Sequence, residues 1–399
     1  MPVAHRSLSA ASWPVRCACR AGAGLVAAFA LVAAAMPASP DAPPGIPRAQ
    51  LLAVSALSAT DAWAVGDLDT GGPAGLHTLA VHWNGTSWAR VPAPSPGNGI
   101  SGSTLSGVSA VSASDAWAVG GYETSAKVFK TLAVHWDGSR WSQVPSPSPG
   151  GAQGSGLSAV SAVSATGAWA VGGATIKRVA KDLVLRWDGS RWSQVPSPSP
   201  GGAQGSGLSA VSAVSAADAW AVGCYGFNVN TGASTTLALH WDGTRWAQVA
   251  TPSPGAAHSA CLEGVAALSA SDAWAVGFFT PNPTSGAQKP LVLRWDGARW
   301  AQVPSPSPGD TLVTELTSVD AISATDAWAV GDVFNGTSQT QRTLVFHWNG
   351  TRWTRVASPS PGFSALNGVS AVSASDAWAV GAGRGSLILH WNGTRWTQS

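Results

Sequence analysis

The pentapeptide "AWAVG" recurs seven times along the 399-residue chain, and this repetition constrains the fold more than any other feature. Successive copies lie 50 to 54 residues apart, a period typical of solenoids and propellers. Two further tryptophans, always five residues apart, follow each copy, so that 21 of the 22 tryptophans belong to the repeat. The chain therefore consists of seven similar units. The tryptophans of the pentapeptide are Trp63, Trp117, Trp169, Trp220, Trp274, Trp328 and Trp378.

Each unit has the pattern of four short strands. A Val/Ser/Ala run such as "LSAVSAVS", the pentapeptide, "TLAVHW" and "SRWSQV" all alternate with period two, which leaves no room for a helix. In the second copy we expect Asp137 and Gly138 to form a two-residue type I′ turn. This turn pairs Trp136 with Ser139 and puts Trp136 and Trp141 diagonally on one face, and a bulged turn is the alternative.

Seven four-stranded antiparallel units predict an all-β fold, a seven-bladed β-propeller in which each blade covers its neighbours. The tryptophans fill the interfaces between blades. Proline in the "PSPSPG" segments that follow the fourth strand prevents pairing along the outer edge. No strand is shared between the termini, so closure of the ring depends on side-chain packing between the last blade and the first. We expect the blades at about 51–97, 98–150, 151–201, 202–255, 256–309, 310–362 and 363–399.

The chain before the propeller predicts export. A basic stretch that ends at Arg20 precedes an apolar run over 21–36, so residues 1–38 are expected to be a signal peptide and 39–50 a proline-rich linker. An uncleaved anchor is the alternative. After cleavage we expect a secreted protein, with no membrane span, that is free or associated with the cell surface.

Cys224 and Cys261 are the two cysteines of the exported part, and an oxidising compartment favours a disulfide between them. The bridge would join blades four and five. Two cysteines and the nearby His258 are too few ligands for a zinc site, so we expect no metal and no cofactor.

The residues with catalytic potential are few. Aspartates before the second strand are expected to be turn caps, and the histidines of the third strand share their position with Arg186 and Arg294, as in a solvated or stacking position. The formal net charge of +2 argues against nucleic acid as a partner. We therefore expect a non-enzymatic protein. An enzyme with its site at the mouth of the channel and a passive surface scaffold are the alternatives.

Sequence change between the copies is concentrated in the loops between second and third strands. These loops lie on the same face as the connections between blades, and they form a basic arc beside an aromatic arc. Such a face suits a carbohydrate, another anionic polymer or a protein partner, for instance from the cell envelope, and we expect it on a monomer. Loops that merely tolerate change are the alternative. The candidate binding residues are Lys127, Lys130, Lys177, Arg178, Lys181, Tyr225, Phe227, Phe278, Phe279 and Phe334.

The repeat unit "DAWAVG" followed by "WDGSRW" resembles bacterial secreted proteins with "DAWAVG … W-[DN]-G-x-x-W" repeats, and the resemblance covers roughly residues 50 to 399. More distantly it is similar to the Asp-box and photosystem-assembly-factor propellers, whose hairpin has a doubled glycine that this chain lacks. The resemblance implies a β-propeller. The double-glycine strand of kelch repeats and the Gly-His and Trp-Asp signature of the WD family are absent from the sequence.

Overall fold

The computed structural model describes residues 48–71, 75–228, 232–254, 259–282, 286–309 and 312–399. The predicted signal peptide and residues 39–47 of the predicted linker lie outside these ranges, as does His258. Within them, none of the helices has the length and apolar character needed to cross a membrane.

The described chain forms seven antiparallel sheets of four strands arranged in a ring, which confirms the predicted seven-bladed β-propeller. Each sheet contains four consecutive strands, so no blade combines strands from the two termini. The first strand begins at Arg48, before the predicted start of the propeller at residue 51. Two short 3-10 turns, Gly151–Gln153 and Gly202–Gln204, lie in the linkers that follow blades two and three.

The strands, numbered in chain order with four to a blade, have the following bounds. They are β1 Arg48–Ser58, β2 Asp61–Asp69, β3 Leu76–Trp83 and β4 Trp88–Arg90; β5 Ser103–Ser112, β6 Asp115–Glu123, β7 Phe129–Trp136 and β8 Trp141–Gln143; β9 Ser155–Ser164, β10 Gly167–Ile176, β11 Val179–Trp187 and β12 Trp192–Gln194; β13 Ser206–Ser215, β14 Asp218–Tyr225, β15 Thr235–Trp241 and β16 Trp246–Val249; β17 Ala260–Ser269, β18 Asp272–Phe279, β19 Lys289–Trp295 and β20 Trp300–Gln302; β21 Val313–Ser323, β22 Asp326–Asn335, β23 Thr340–Trp348 and β24 Trp353–Arg355; β25 Ala365–Ser373, β26 Asp376–Ala382, β27 Ser386–Trp391 and β28 Trp396–Gln398.

The interfaces between blades are built from groups of three tryptophans. Trp117 of blade two is 1% exposed and packs against both hairpin tryptophans of blade three. Its ring centroid lies 4.7 Å from that of Trp187 and 5.0 Å, nearly edge-on, from that of Trp192. The same group closes the ring, because Trp378 of blade seven lies 5.0 and 5.1 Å from Trp83 and Trp88 of blade one. Side-chain packing therefore joins the last blade to the first, together with hydrogen bonds from Ala56 N–H to Ser370 and from Asn367 to the Leu51 carbonyl oxygen.

The glycine that ends each "AWAVG" copy is required by a bulge in the neighbouring inner strand. In blade one the pairing of β1 with β2 shifts register between Leu51 and Ala53. A Cβ atom on Gly66 would overlap the carbonyl oxygen of Gln50, and the corresponding glycine of every other blade meets the same obstacle. Bulges increase local twist, and here they accompany the tightly wound inner strands.

The hairpin register differs from the prediction. Trp136 pairs directly with Trp141 across β7 and β8, so the turn has four residues, 137–140, and the two-residue turn is wrong. Asp137 decides the turn, because its Oδ1 accepts the backbone N–H groups of Ser139 and Arg140, each over 2.9 Å. The two indoles still lie on one face, with ring centroids 5.8 Å apart.

Candidate functional site

The ring has two faces of different character. The lower face carries the turns between first and second strands and between third and fourth strands, in blade two residues 113–114 and 137–140. The upper face carries the loops between second and third strands and the linkers between blades, in blade two residues 124–128 and 144–154. A pocket lined by the first strands lies on the axis of the ring.

The lower face repeats a histidine–aspartate pair that the sequence argument missed. His135 Nε2 lies 2.8 Å from Asp115 Oδ1, and the imidazole lies against the indole of Trp117 with centroids 4.6 Å apart. The stacking predicted for the histidine position is present, but the aspartate pairs with the imidazole instead of only capping a turn. The pairs are His82–Asp61, His135–Asp115, His240–Asp218, His347–Asp326 and His390–Asp376.

The two blades that lack this histidine keep a cation over the tryptophan. Arg294 forms two hydrogen bonds with Asp272, over 3.0 and 3.1 Å, and its guanidinium lies 4.9 Å from the Trp274 ring centroid. In blade three Gly167 takes the place of the aspartate, and Arg186 lies 5.2 Å from the Trp169 ring centroid. Because every blade places either a histidine or an arginine against this tryptophan, we interpret the contact as part of the packing of the repeat. Among the described residues, no group of three or more His, Cys, Asp or Glu side chains could hold a metal ion.

The axial channel has a volume of about 180 Å³ and is lined by the first strands of all seven blades. Its serines link neighbouring blades, as when Ser55 Oγ accepts the backbone N–H of Ala110 over 3.1 Å. Blade five has Ala266 at the serine position, and blade six has Asp320. Asp320 Oδ1 accepts the N–H of Ala321 over 2.9 Å, and its Oδ2 accepts that of Ala371 over 2.8 Å. The aspartate thus supplies the acceptor that blade five lacks.

Asp320 is the one charged residue of the channel lining. Burial raises the pKa of its carboxyl group to about 6, although the backbone N–H groups of Ala371 and Ala321 act in the opposite direction. The sequence left open the alternative of an enzyme with its site at the mouth of the channel. Such a site would depend on the carboxyl group of Asp320.

The five basic residues predicted for binding lie on the upper face of blades two and three. Lys127, Lys177 and Arg178 are exposed at loop tips, where their φ angles are 58°, 52° and 65°. Lys130 and Lys181 are half-buried on the third strands β7 and β11. The predicted basic arc is therefore formed by neighbouring blades, with three of its charges in solvent.

The predicted aromatic arc is largely turned inward. Phe278 is only 6% exposed and packs with Cys224 and Cys261, so it has to be removed from the candidate binding residues. Tyr225 and Phe279 pack against the hydrophobic clusters between blades. Two residues of the set, Phe227 and Phe334, are half-buried on the upper face. The hydrophobic effect favours these loop aromatics as cover for the blade interfaces over display to solvent.

The predicted disulfide is confirmed. Cys224 on β14 and Cys261 on β17 are bonded, with their Cα atoms 5.0 Å apart, and the bridge joins blades four and five on the upper face. Both residues are buried.

A groove of about 410 Å³ lies at the rim of the upper face, where the linker that follows blade five meets blade six. Arg342 of β23 and Arg355 of β24 line it together with the hydroxyl groups of Ser338 and Thr340. Both arginines are exposed, and neither forms an ion pair with any residue in the described ranges.

Sequence reasoning missed this groove because it compared only the loops, whereas both arginines lie on strands. The signal was present at the fourth strand, where five copies have glutamine and only Arg90 and Arg355 depart from it. Blade six alone combines such an arginine with a second one, Arg342, on the third strand. The convergence depends on the strand register, in which Phe346 pairs with Arg355 and Val333 with Arg342.

No protein-family description and no curated protein matches the chain. Among solved structures it is similar to YCF48 bound to a D1 peptide, with 12% identity, a TM-score of 0.52 and coverage of 86% of this chain and 93% of that one. YCF48 from Cyanidioschyzon merolae gives 14% identity and a TM-score of 0.53 over 86% of this chain and 96% of the other. The GH74 xyloglucanase from Xanthomonas campestris gives 13% identity and a TM-score of 0.55, and the match covers 88% of this chain and 54% of the enzyme. These similarities show the β-propeller fold.

Proposed function

We propose that this protein is an exported, non-catalytic β-propeller that binds an acidic carbohydrate or a related anionic polymer on its upper face. The observation that carries the proposal is the groove at blade six, where Arg342 and Arg355 line one cavity without an acidic partner among the described residues. Guanidinium groups bind carboxylate and sulfate through paired, charge-assisted hydrogen bonds. Hydroxyl-bearing neighbours suit the remaining polar groups of a sugar.

The distribution of charge on the upper face supports an extended ligand. Lys127, Lys177 and Arg178 are exposed on blades two and three, away from the groove of blade six. A polymer with repeated negative charges can contact both places, whereas a small anion cannot. Exposed charges of this kind contribute through many weak contacts, so the affinity is expected to fall as salt is added.

The similar structures do not distinguish between binding and catalysis, so we base this distinction on the residues of this chain. One is a YCF48 protein bound to a D1 peptide and another is a xyloglucanase, so a common fold accompanies different uses. We infer a non-catalytic role because the polar residues that recur in five of the seven blades, such as His135 and Asp115, are engaged with tryptophan and with each other.

Binding is tested with the folded propeller and a panel of soluble polymers, one uronate-rich, one sulfated and one neutral. We expect the acidic polymers to bind and the neutral one not to bind. The variant R342Q/R355Q should lose at least about tenfold in affinity, because each charge-assisted hydrogen bond contributes about 1.5–3 kcal/mol. Glutamine is the residue of most other blades at position 355, so the variant should fold.

Arg140→Gln is the matched control, since it removes an arginine that is exposed on the lower face. Equal losses in both variants would point to a diffuse charge effect and contradict the groove as the site. Absence of binding to every polymer would contradict the proposed function and favour a passive scaffold.

Export is part of the proposal and rests on the predicted signal peptide and on the disulfide, which requires an oxidising compartment. Cell fractionation and sequencing of the mature N-terminus test it. We expect the protein outside the cytoplasm, with its start near residue 39 and with no free thiol at Cys224 or Cys261. Cytoplasmic protein with two reactive thiols would contradict export.

A further inference from the structure

Burial raises the pKa of three aspartates, and the carboxyl oxygens of one of them are not engaged as those of the other two are. Asp67 is 4% exposed and accepts from Gln50 and Thr104. Asp320 accepts from two backbone N–H groups. Asp182 is 7% exposed, and neither of its carboxyl oxygens accepts a hydrogen bond of ordinary geometry from a described residue, although the nearby Ser206 hydroxyl acts to lower its pKa. A buried carboxyl group without such a hydrogen bond is unfavourable and calls for a physical explanation.

Blade two offers the same surroundings with a different residue. Residues 136–165 and 187–216 are identical, and the third-strand position before them is Thr131 in blade two and Asp182 in blade three. In both blades the backbone N–H of this residue donates to the hydroxyl of a linker serine over 2.9 Å. The proline-rich linker is thus held against the third strand in the same way in both blades. The two blades differ in the side chain at this position, which is threonine in blade two and aspartate in blade three.

The linker directs oxygen atoms at this side chain. In blade two, Thr131 Oγ1 lies 3.3 Å from the carbonyl oxygen and 2.8 Å from the hydroxyl of Ser146. It also lies 3.1 Å from the carbonyl oxygen of Pro147 and 3.0 Å from the hydroxyl of Ser148. Threonine satisfies such surroundings because its hydroxyl donates a hydrogen bond. In blade three the same atoms belong to Ser197, Pro198 and Ser199.

A different backbone conformation at the end of the blade-three linker brings the Ser206 hydroxyl toward Asp182. Gly150 of blade two has φ −66°, whereas Gly201 of blade three has φ 95°. In blade two the N–H of Gly150 donates to the serine hydroxyl that corresponds to Ser206. In blade three the Ser206 hydroxyl instead lies 3.0 Å from that of Ser199 and near enough to Asp182 to lower its pKa.

We propose that Asp182 and the linker oxygens around it form a binding site for one hard cation, Ca²⁺ or Na⁺. By analogy with Thr131 in blade two, the ligands would be the carboxylate, the carbonyl oxygens of Ser197 and Pro198 and serine hydroxyls, all of which are oxygen donors of the kind that such cations take. A carboxylate cannot donate to the linker carbonyls as Thr131 does, so a cation takes the place of the missing donor. Lys181 is the other charge that acts on Asp182, and it favours the ionised form.

The test is the thermal midpoint of the folded propeller at pH 8, measured in choline chloride, in NaCl and in choline chloride with millimolar CaCl₂ after treatment with EDTA. The wild type should gain several degrees with Ca²⁺, with Na⁺ or with both, and the two salts identify the cation. Asp182→Thr restores the residue of blade two and should be insensitive to both cations. Thr131→Asp installs the carboxylate on the identical linker and should increase the cation-dependent gain.

Two results would overturn the site. Equal cation responses of the wild type and Asp182→Thr would show that the ions act elsewhere. A loss of stability between pH 4 and pH 8 that is larger in the wild type than in Asp182→Thr, and is the same in all three salts, would show that the carboxyl group holds a proton and no metal. Neither result depends on polymer binding at blade six, so the site and the proposed function can fail separately.

Discussion

The lower and upper faces of the ring satisfy their polar groups in different ways. On the lower face one solution is repeated, as when Trp136 Nε1 donates to the carbonyl oxygen of Ala113 over 3.0 Å and ties the two turns of its blade together. The same bond recurs in all seven blades at 3.0–3.1 Å. On the upper face the N–H of a third-strand residue donates to a linker serine hydroxyl in five blades. The other polar and bridging groups there differ between blades, and they include a disulfide in blades four and five and a buried acid in blade three.

The difference shows which half of the blade holds the ring together. The tryptophan groups and the histidine–aspartate pairs lie toward the lower face, so the upper loops can change without loss of the interfaces. A surface that is free to vary on a constant support is the usual location of binding residues. The predictions that follow compare substitutions in the two halves.

The largest effect is expected from the tryptophan groups. Trp220→Ala and Trp378→Ala should each lower the free energy of unfolding by about 3–5 kcal/mol, because each removes a fully buried aromatic side chain and leaves a cavity. Denaturant unfolding measures the loss. Val214, which is 38% exposed, provides the control substitution Val214→Ala. A much smaller loss for Trp378→Ala than for Trp220→Ala would contradict closure of the ring by this packing.

The disulfide is the strongest single constraint expected on the upper face. Replacing both Cys224 and Cys261 with serine should lower stability by about 2–4 kcal/mol, since the bridge closes a segment with a sequence separation of 37. Thermal unfolding with and without a reductant measures it, and the reductant should not affect the variant. An equally stable variant would show that blades four and five are held by their tryptophans alone.

Replacing the channel aspartate Asp320 with serine should have a smaller effect on stability, and this effect should depend on pH. Asp320→Ser leaves the N–H of Ala321 without an acceptor and should cost about 1–3 kcal/mol at pH 5, and adding Ala266→Ser should restore most of it. Burial raises the pKa of Asp320 from 3.8 to about 6, so the folded state binds the proton more tightly. The aspartate's stabilisation is therefore present below pH 3.8 and is lost as the pH rises toward 6. The double variant should lose less stability than the wild type as the pH rises through this window, and a pH profile parallel to that of the wild type would contradict the assignment.

The smallest effect is expected in the exposed hairpin turns of the lower face. Three blades have asparagine where blade two has Asp137, so at pH 7 Asp137→Asn, which keeps the acceptor oxygen but not the charge, should lower the unfolding midpoint less than Asp137→Ala does. The Ser139 hydroxyl and the backbone N–H groups lower the pKa of Asp137 to about 2. Its contribution is thus present above pH 3.8 and is lost as the pH falls toward 2. A loss in Asp137→Asn equal to that in Asp137→Ala would show that charge, and not the acceptor oxygen, holds the turn.

The fold followed from the sequence because its determinants are local and repeated. Alternation within "AWAVG" placed Trp117 on one face of its strand, and the seven-fold period gave the number of blades. The hairpin register was wrong because the Asp-Gly pair was taken as the whole turn. Asp137 instead accepts from residues two and three positions later, which enlarges the turn to four residues.

The candidate site could be predicted only in part. Exposed lysines such as Lys127 and Lys177 were found because variable loops are visible in the sequence. Phe278 was placed wrongly because its burial depends on the disulfide beside it, which brings two blades together. Arg342 and Arg355 were missed because their proximity depends on how one strand is aligned with the next.

The sequence by itself determined the all-β class, the seven blades, the tryptophan-lined interfaces and the pairing of Cys224 with Cys261. These features depend on periodicity and composition, which can be recognised directly in the amino-acid sequence. Only the tertiary structure decided that Asp115 pairs with His135, that Asp320 accepts the N–H that Ala266 leaves unbonded, and that the carboxyl group of Asp182 is buried. Such contacts join residues from different strands or blades, and their chemistry depends on burial and distance, which arise when the sheets pack.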